Sequence, residues 1–360
     1  MKALFLCVFI LLPSWARSEE PRRGLFVTTL DIAPVLSSRK AISQLIETAK
    51  KARVDTLFVQ IYRSNEAWFP SQVGGQRMYK SALKSVGQDP FALLIKGAHA
   101  AGLEVHAWLN LLSLGNNKDA RILTKYGPDI LTRNLQPKTK IEDYKIDAQY
   151  FLEPGDIRVR SQMRDMVKEV LRAYPDLDGI QFDYIRYPDV HPFYGYTKIN
   201  IQRFKKATGQ KNIVEGSVVW NQWKRDQVTD LLAQLVRQSR ALRPRLQVST
   251  TGCVSYVRAH DEAFQDWPLW LNSYLVDFVT IMDYPEDVPT FAKHITDARK
   301  RVKDFHKVNV ALGAYKLVKA PDVFGHQWKV CETSGAGACV VFHYGSLLEN
   351  AVLKDRLNKN

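Results

Sequence analysis

The sequence is poor in cysteine, with 4 in 360 residues, and it contains no Cys/His spacing of the kind that binds zinc. It also lacks the P-loop, the G-x-G-x-x-G turn after a strand, the G-x-S-x-G nucleophile elbow and the H-E-x-x-H motif. Its 19 Gly and 16 Pro follow no period, which excludes collagen-like and low-complexity chains. These absences argue against nucleotide-binding, serine-hydrolase and zinc-protease classes.

Long apolar runs are also rare, and the clearest one lies at the N-terminus. Lys2 precedes an uncharged run from Ala3 to Leu12, and Ala16 and Ser18 supply the small residues that a signal peptidase reads. We therefore expect residues 1–18 to be a cleaved signal peptide and residues 19–360 to form a secreted or periplasmic protein. No later stretch reaches the roughly eighteen uncharged apolar residues of a membrane-spanning helix.

The chain is basic, with a formal net charge of +14 that becomes +12 when Lys2 and Arg17 are removed with the signal. A basic surface either keeps the protein soluble or attracts an anionic partner such as a cell-wall or acidic polysaccharide. Nucleic acid is not an expected partner, because the basic residues are dispersed and no nucleic-acid-binding motif is present.

Three cysteines remain after the signal. Cys331 and Cys339 bracket a short Ser/Gly/Ala-rich segment, and a disulfide between them and two separate buried thiols are both consistent with the sequence.

Short apolar runs alternate with longer amphipathic stretches along the whole mature chain, as repeated βα units require. The eight strands are predicted at Gly24–Leu30, Thr56–Tyr62, Leu103–Leu109, Gly179–Tyr184, Leu246–Thr251, Phe278–Met282, Val308–Leu312 and Ala338–Phe342. No linker rich in Pro, Ser or Gly divides the chain. We therefore predict an α/β fold in which residues 19–360 form a single (β/α)8 TIM-type barrel with elaborated βα loops.

Aromatic, acidic and amide side chains recur where these strands end, for example in YRSNEAWFPS (residues 62–71) and FDYIRYP (residues 182–188). In such a barrel, the active site lies at these strand ends. Aromatic rings pack on sugars, and cleavage of a glycosidic bond needs two carboxyl groups on opposite sides of it. The pattern favours a carbohydrate enzyme that requires no cofactor.

Asp183 is the strongest catalytic candidate. Strand alternation places Gln181, Asp183 and Ile185 on one face; if that face lines the barrel, Asp183 stands at its mouth. The structural alternative is a salt bridge between Asp183 and Arg186 or another inward base.

The second carboxylate is open on the sequence alone. Glu66 lies in the second loop near Arg63, whereas alternation directs Asp283, at the end of the sixth strand, toward the helices if Met282 and Tyr284 face the mouth. The other candidates lie on neighbouring loops: Asp261, Glu262, Asp266 and Glu286.

Substrate contacts are predicted at polar and aromatic side chains near the strand ends, with plain packing as the alternative for each aromatic residue. The predicted contacts are Arg63, His106, Trp108, Asn110, Tyr184, Arg186, Asp266, Trp267 and Tyr284. Tyr62 and Trp68 are further candidate sugar platforms.

The sequence resembles the family-10-like glycosyl hydrolases, a group of exported bacterial barrel proteins. The resemblance is carried, in order, by RGLFVTTL (23–30), FVQIYRSNEAWFPS (58–71), GLEVHAWLN (102–110), EPGDIRVR (153–160), DGIQFDYIRYP (178–188), QDWPLWL (265–271) and DFVTIMDYP (277–285). It implies a TIM-type barrel and glycan hydrolysis, with peptidoglycan glycan strands as a substrate. It also places the acidic residues of the fourth-strand and second-strand motifs on Asp183 and Glu66.

The chain departs from the family pattern in two places: Tyr184 stands where a second acid often follows the first, and Asp283 stands where the pattern is usually apolar. Chitinase-type cleavage is disfavoured, because Ile185 replaces the essential Glu of the chitinase strand. The resulting hypothesis is an exported glycoside hydrolase. The alternative is a catalytically silent barrel that binds glycans or cell wall.

Overall fold

The computed structural model describes residues 20–29 and 34–358, so the expected signal peptide lies outside the described residues. Eight parallel strands form a closed barrel, because the first strand pairs with both the second and the last. The strands are β1 (Arg22–Val27), β2 (Thr56–Arg63), β3 (Glu104–Asn110), β4 (Gly179–Asp183), β5 (Gln247–Cys253), β6 (Phe278–Asp283), β7 (Val308–Gly313) and β8 (Ala338–Phe342). The predicted (β/α)8 barrel is therefore confirmed.

Helices connect consecutive strands and cover the outside of the barrel. They are α1 (Arg39–Lys51), α2 (Arg77–Val86), α3 (Pro90–Ala100), α4 (Arg121–Tyr126), α5 (Ile157–Ala173), α6 (Lys198–Thr208), α7 (Val218–Leu242), α8 (Trp267–Asn272), α9 (Val288–Arg299), α10 (Pro321–Glu332), α11 (Tyr344–Glu349) and α12 (Ala351–Asn358). None of the helices in the described part of the chain has the length and apolar character needed to cross a membrane.

Two apolar cores follow from the alternation of side chains along the strands. The larger core lies between strands and helices and includes Val279 and Ile281 of β6. The smaller one fills the barrel and includes Phe26, Phe58 and Trp108. Side chains on one face of each strand therefore reach the barrel interior, and those nearest the carboxyl ends surround its mouth.

The loops around the mouth are very unequal in size. The connection from β3 to α5 runs from residue 111 to 156 and contains α4 and an antiparallel ribbon of Ser113–Gly115 with Tyr150–Phe151. The connection from β4 to α7 contains α6. In contrast, only His343 separates β8 from α11. The mouth therefore has a high wall on the side of β3 and β4 and a low one on the side of β8.

Cys331 and Cys339 form a disulfide with a Cα–Cα distance of 6.0 Å, which settles the alternative that the sequence left open. The bond joins the end of α10 to β8. Cys253 is a buried free thiol.

Candidate active site

Asp183 is the last residue of β4, and its carboxylate lies at the barrel mouth between β3 and β5 with only 3% of the residue exposed. The Trp108 indole Nε1 donates to Oδ2 at 3.0 Å, and the Thr251 hydroxyl donates to Oδ1 at 2.5 Å. The backbone N–H of Tyr184 donates to Oδ1 at 2.7 Å. Three donors from three elements therefore fix the orientation of the carboxylate.

The backbone at Tyr184 explains why β4 ends at this point. Tyr184 has a φ of +54°, a left-handed conformation that a continuing strand does not contain. As a result, Ile185 packs in the core outside the barrel and does not continue the inward face of Gln181 and Asp183. The predicted placement of Ile185 was wrong, whereas Gln181 does point inward and donates to Thr280 of β6 at 2.9 Å.

No described Lys, Arg or His forms an ion pair with Asp183. Arg186, the partner that the structural alternative required, instead pairs with Asp189 and lies over the ring of Tyr184 at 4.6 Å. Burial lowers the pKa of Arg63, at the end of β2, although the negative charge of Asp183 acts in the opposite direction. The Asp183 carboxylate is therefore held by neutral donors.

A second polar group lies next to Asp183 at the mouth. Asn110, opposite Asp183 in the β3–β4 register, accepts from the Gln60 amide at 2.9 Å. The Gln60 carbonyl oxygen in turn accepts from the backbone N–H and the hydroxyl of Thr29 at 3.0 and 2.8 Å. These amides extend the polar surface from β4 to β1.

Two of the candidate partner acids keep a buried carboxylate oxygen that has no hydrogen-bond partner among the described residues: Glu66 and Asp283. The Glu66 side chain lies against Gly75, where a Cβ would approach its Oε1 to 2.1 Å. Asp283 bonds His294 of α9 at 2.7 Å through Oδ1, on the helix side that alternation indicated, and its Oδ2 is the free oxygen.

The Asp283–His294 pair holds a proton more tightly than either group does in water. Burial raises the pKa of Asp283 to about 6, although the hydrogen bond from His294 and its charge act in the opposite direction. The same hydrogen bond raises the pKa of His294. The pair therefore retains a dissociable proton close to neutral pH.

The remaining acidic candidates have other contacts. Asp266 caps α8 through Leu269 N–H and accepts from the Tyr256 hydroxyl at 3.0 Å. Asp261 bonds its neighbour His260 at 2.6 Å, and Glu286 is exposed and 4.0 Å from Lys316. Glu262 is half-buried at the end of a short helical turn.

The aromatic candidates divide by burial. Tyr62, Trp68 and Trp267 are buried, and the Trp267 indole donates to the Cys253 carbonyl, so these rings pack in the core. Tyr184 and Tyr284 remain partly exposed at the mouth. Burial raises the pKa of Tyr284, the charge of Asp183 adds to the effect, and its buried hydroxyl has no hydrogen-bond partner among the described residues.

His106 does not join the residues at the mouth, so its predicted position at the end of the third strand was wrong. It is the third residue of β3 and packs between Phe58 and Phe278 near the opposite end of the barrel. Its imidazole lies so close to Gly179 that a Cβ there would approach it to 2.3 Å. Burial lowers its pKa to about 4, which keeps the ring neutral at pH 7.

Several residues at the mouth were missed by the sequence reasoning, among them Thr251, Gln60 and His294. Thr251 follows Ser249 and Thr250 in a buried strand, and such a polar run was an available signal. Nothing in the sequence around His294 points to Asp283, because a helix contact of this kind depends on the packing of α9.

The fold and the mouth together define a (β/α)8 barrel protein with a buried, hydrogen-bonded carboxylate at the carboxyl end of β4. The sequence matches the family described as Glycosyl hydrolase-like 10 over residues 21–329, and the chain belongs to that family.

Curated relatives are distant and longer. The chain is 22% identical to glycosyl hydrolase DigH of Escherichia coli over 301 residues, which cover 74% of this chain and 66% of the relative. It is 24% identical to glycosyl hydrolase YngK of Bacillus subtilis over 270 residues, or 69% of this chain and 50% of the relative. The chain thus spans between half and two thirds of the length of these proteins.

Solved structures share the fold at low identity. The catalytic domain of beta-amylase from Paenibacillus polymyxa aligns over 95% of this chain and 98% of its own, with a TM-score of 0.62 and 10% identity. The endo-beta-1,4-mannanase from Thermotoga petrophila aligns over 90% of this chain and 67% of its own, with a TM-score of 0.54 and 12% identity. These likenesses establish the barrel architecture.

Proposed function

We propose that the protein is an exported glycoside hydrolase that cleaves glycosidic bonds in a polysaccharide, with peptidoglycan glycan strands as its substrate. Membership of the glycosyl hydrolase-like family supports the reaction class, and the two curated relatives are both named glycosyl hydrolases. The basic charge of the chain supports an anionic polymer as partner.

The observation that carries the proposal is the environment of Asp183. A buried carboxylate normally pairs with a cation, whereas this one accepts only from an indole, a hydroxyl and a backbone N–H. These donors stabilise the charged form without neutralising it. In this position, Asp183 acts as nucleophile or general base on the sugar bound at the mouth.

The proton donor is assigned to Asp283. A general acid must carry a proton near the working pH, and burial raises the pKa of Asp283 to about 6. Asp283 lines a cavity together with Met282 and Tyr284, and its Oδ2 has no hydrogen-bond partner among the described residues. Glu66, which also has a free buried oxygen, is the competing assignment.

Purified peptidoglycan, both intact and stripped of its stem peptides, provides the test. The mature protein should release muropeptides or glycan fragments that mass spectrometry detects, and Asp183→Asn should release none. Asp176→Asn, an exposed acid at the opposite end of the barrel, is the matched control and should retain the activity.

Parallel assays of Asp283→Asn and Glu66→Gln identify the proton donor. Loss of turnover in Asp283→Asn with activity in Glu66→Gln supports the assignment, and the reverse result replaces Asp283 by Glu66. If the wild-type protein binds the glycan and releases no fragments, the silent glycan-binding barrel is the better description.

A further inference from the structure

A cavity of about 340 Å³ lies beside the barrel mouth, among the connections that follow β5, β6 and β7. Its lining includes Met282, Asp283 and Tyr284 at the end of β6 and Tyr315 and Lys316 after β7. The connections that follow β6 and β7 at this cavity are short. Tyr284 connects it to the barrel interior, because its ring packs against the core that fills the barrel.

Two residues that line this cavity have buried polar atoms without a hydrogen-bond partner in the described part of the chain. Asp283 is only 1% exposed, yet its Oδ2 has no hydrogen-bond partner among the described residues, and the Tyr284 hydroxyl also lacks one. Buried polar groups in native proteins are nearly always paired with protein, water or ligand. Asp283 and Tyr284 both line the cavity, and a carboxylate and a phenol can together accept from and donate to the hydroxyl groups of a ligand.

An aromatic ring at the rim completes the site. Tyr315 is 43% exposed, although its ring is fixed by near-perpendicular contacts with Tyr284 at 5.9 Å and Phe342 at 5.7 Å. A ring fixed in this way presents apolar surface to solvent at a small cost in side-chain entropy. An exposed apolar ring above polar acceptors matches a pyranose, which has an apolar face and a hydroxyl edge.

We propose that this cavity is a second sugar subsite, which binds a ring of the glycan next to the bond cleaved at Asp183, with Tyr315 as its platform. The inference rests on the proposed function, since it assumes that a glycan chain lies across the mouth. It adds that the chain continues toward the connections that follow β6 and β7 and that longer oligosaccharides gain contacts there.

The test is the dependence of kcat/KM on substrate length. The substrates are peptide-free peptidoglycan oligosaccharides from the disaccharide to the octasaccharide, assayed with the wild type, Tyr315→Ala and Tyr315→Phe. Tyr315→Ala should lower kcat/KM by about tenfold for oligosaccharides long enough to fill the subsite and leave the shortest cleaved substrate unchanged. Tyr315→Phe keeps the ring and should restore the length dependence.

Tyr274→Ala is the matched control, because Tyr274 is also exposed, at 66%, but lies at the opposite end of the barrel between α8 and β6. Melting temperatures of all variants report whether each one is folded. An unchanged length dependence in a folded Tyr315→Ala would overturn the subsite and leave the proposed function standing.

If the wild type cleaves none of these oligosaccharides, the proposed function fails. The subsite is then tested by the binding affinities of the wild type and Tyr315→Ala for the same oligosaccharides. Affinity that rises with length in the wild type and not in Tyr315→Ala would then support the subsite. Equal affinity in the two proteins, or no binding by either, would overturn it.

Discussion

Two buried acids in this protein accept from similar neutral donors but lie in different parts of the fold. Asp183, at the end of β4, accepts from neutral donors at the barrel mouth. Glu153, in the long connection between β3 and α5, is completely buried and accepts from the Tyr187 hydroxyl and the Gly155 N–H. Lys224 of α7 lies near Glu153 and is itself buried. Burial alone therefore does not distinguish an acid proposed to act on a ligand from one proposed to hold loops together.

The contacts of the two acids account for the difference. The Glu153 cluster, which consists of Glu153, Tyr187, Asn200 and Lys224, joins the β3 and β4 connections, because the Tyr187 hydroxyl donates to Glu153. Within the β4 side, Asn200 of α6 donates to the Gly195 carbonyl at 2.8 Å and Lys224 of α7 donates to the Pro192 carbonyl at 2.5 Å. Asp183, in contrast, has no comparable role between loops. We expect substitutions at the mouth to change the reaction and substitutions in the Glu153 cluster to change the stability.

The largest effect is expected for Asp183→Asn. Loss of a catalytic carboxylate should lower kcat by about a thousandfold or more. The substitution keeps the shape of the side chain, so the free energy of unfolding should fall by only about 1–2 kcal/mol. Glycan release and thermal unfolding, measured on the same preparation, check both halves. A large loss of stability would show that Asp183, like Glu153, has a structural role, and would contradict the difference proposed between the two acids.

Glu153→Ala should produce the reverse pattern. The substitution leaves the Tyr187 hydroxyl and the Gly155 N–H buried without their acceptor, at about 1–3 kcal/mol each. We expect the free energy of unfolding to fall by about 3 kcal/mol while the activity of the folded fraction changes little. Glu153→Gln retains an acceptor oxygen and should be milder. Full stability of Glu153→Ala would contradict a structural role.

Lys224 should make the same cluster sensitive to pH. Burial lowers its pKa from the ordinary value of 10.5 to about 7. Between these values, the unfolded chain binds a proton that the folded protein does not, so stability should increase as the pH rises from 7 toward 10. Denaturant unfolding at pH 7 and pH 9 measures this difference.

Lys224→Met should flatten that dependence on pH, and Lys198→Met, at an exposed site on α6, should preserve it. A wild-type protein that is equally stable at both pH values would show that Lys224 keeps an ordinary pKa when folded.

The smallest expected effect is a shift in a pH profile at the mouth. If Asp283 donates the proton, kcat should decline above pH about 6. The hydrogen bond and charge of His294 lower the pKa of Asp283, so His294→Leu should move this decline to higher pH. His306→Leu, an exposed site after α9, is the control. If the decline of kcat occurs at the same pH in His294→Leu and in the wild type, His294 does not influence the pKa of the proton donor.

The fold was largely predictable because the eight strands are apolar runs whose order and spacing leave few alternatives. Alternation also predicted that Asp183 would stand at the mouth if Gln181 points into the barrel, and that Asp283 would face the helices if Met282 and Tyr284 face the mouth. Side-chain contacts between strands were harder to predict from the sequence. The bond from Trp108 to Asp183 depends on the register of β3 and β4, and that register depends on closure of the whole barrel.

The eight strands were predicted from the sequence, whereas the helices α2, α4, α6, α11 and α12 were not. Several are short, and they lie in connections where their neighbours define the apolar face. The Glu153 cluster was also not predictable from the sequence. Its members Tyr187, Asn200 and Lys224 are brought together only by the folding of two long loops.

Closure of the barrel between β1 and β8 also makes the fold sensitive to an incomplete chain. Arg22 at the start of β1 pairs with Ala338, and the Arg23 guanidinium donates to the Leu357 carbonyl at 2.7 Å. A chain that stops before β8 leaves β1 and β7 as unpaired edges, which are sites for aggregation. A chain that is terminated or cleaved before residue 338 should therefore aggregate, because its sheet has two edges with unpaired backbone groups.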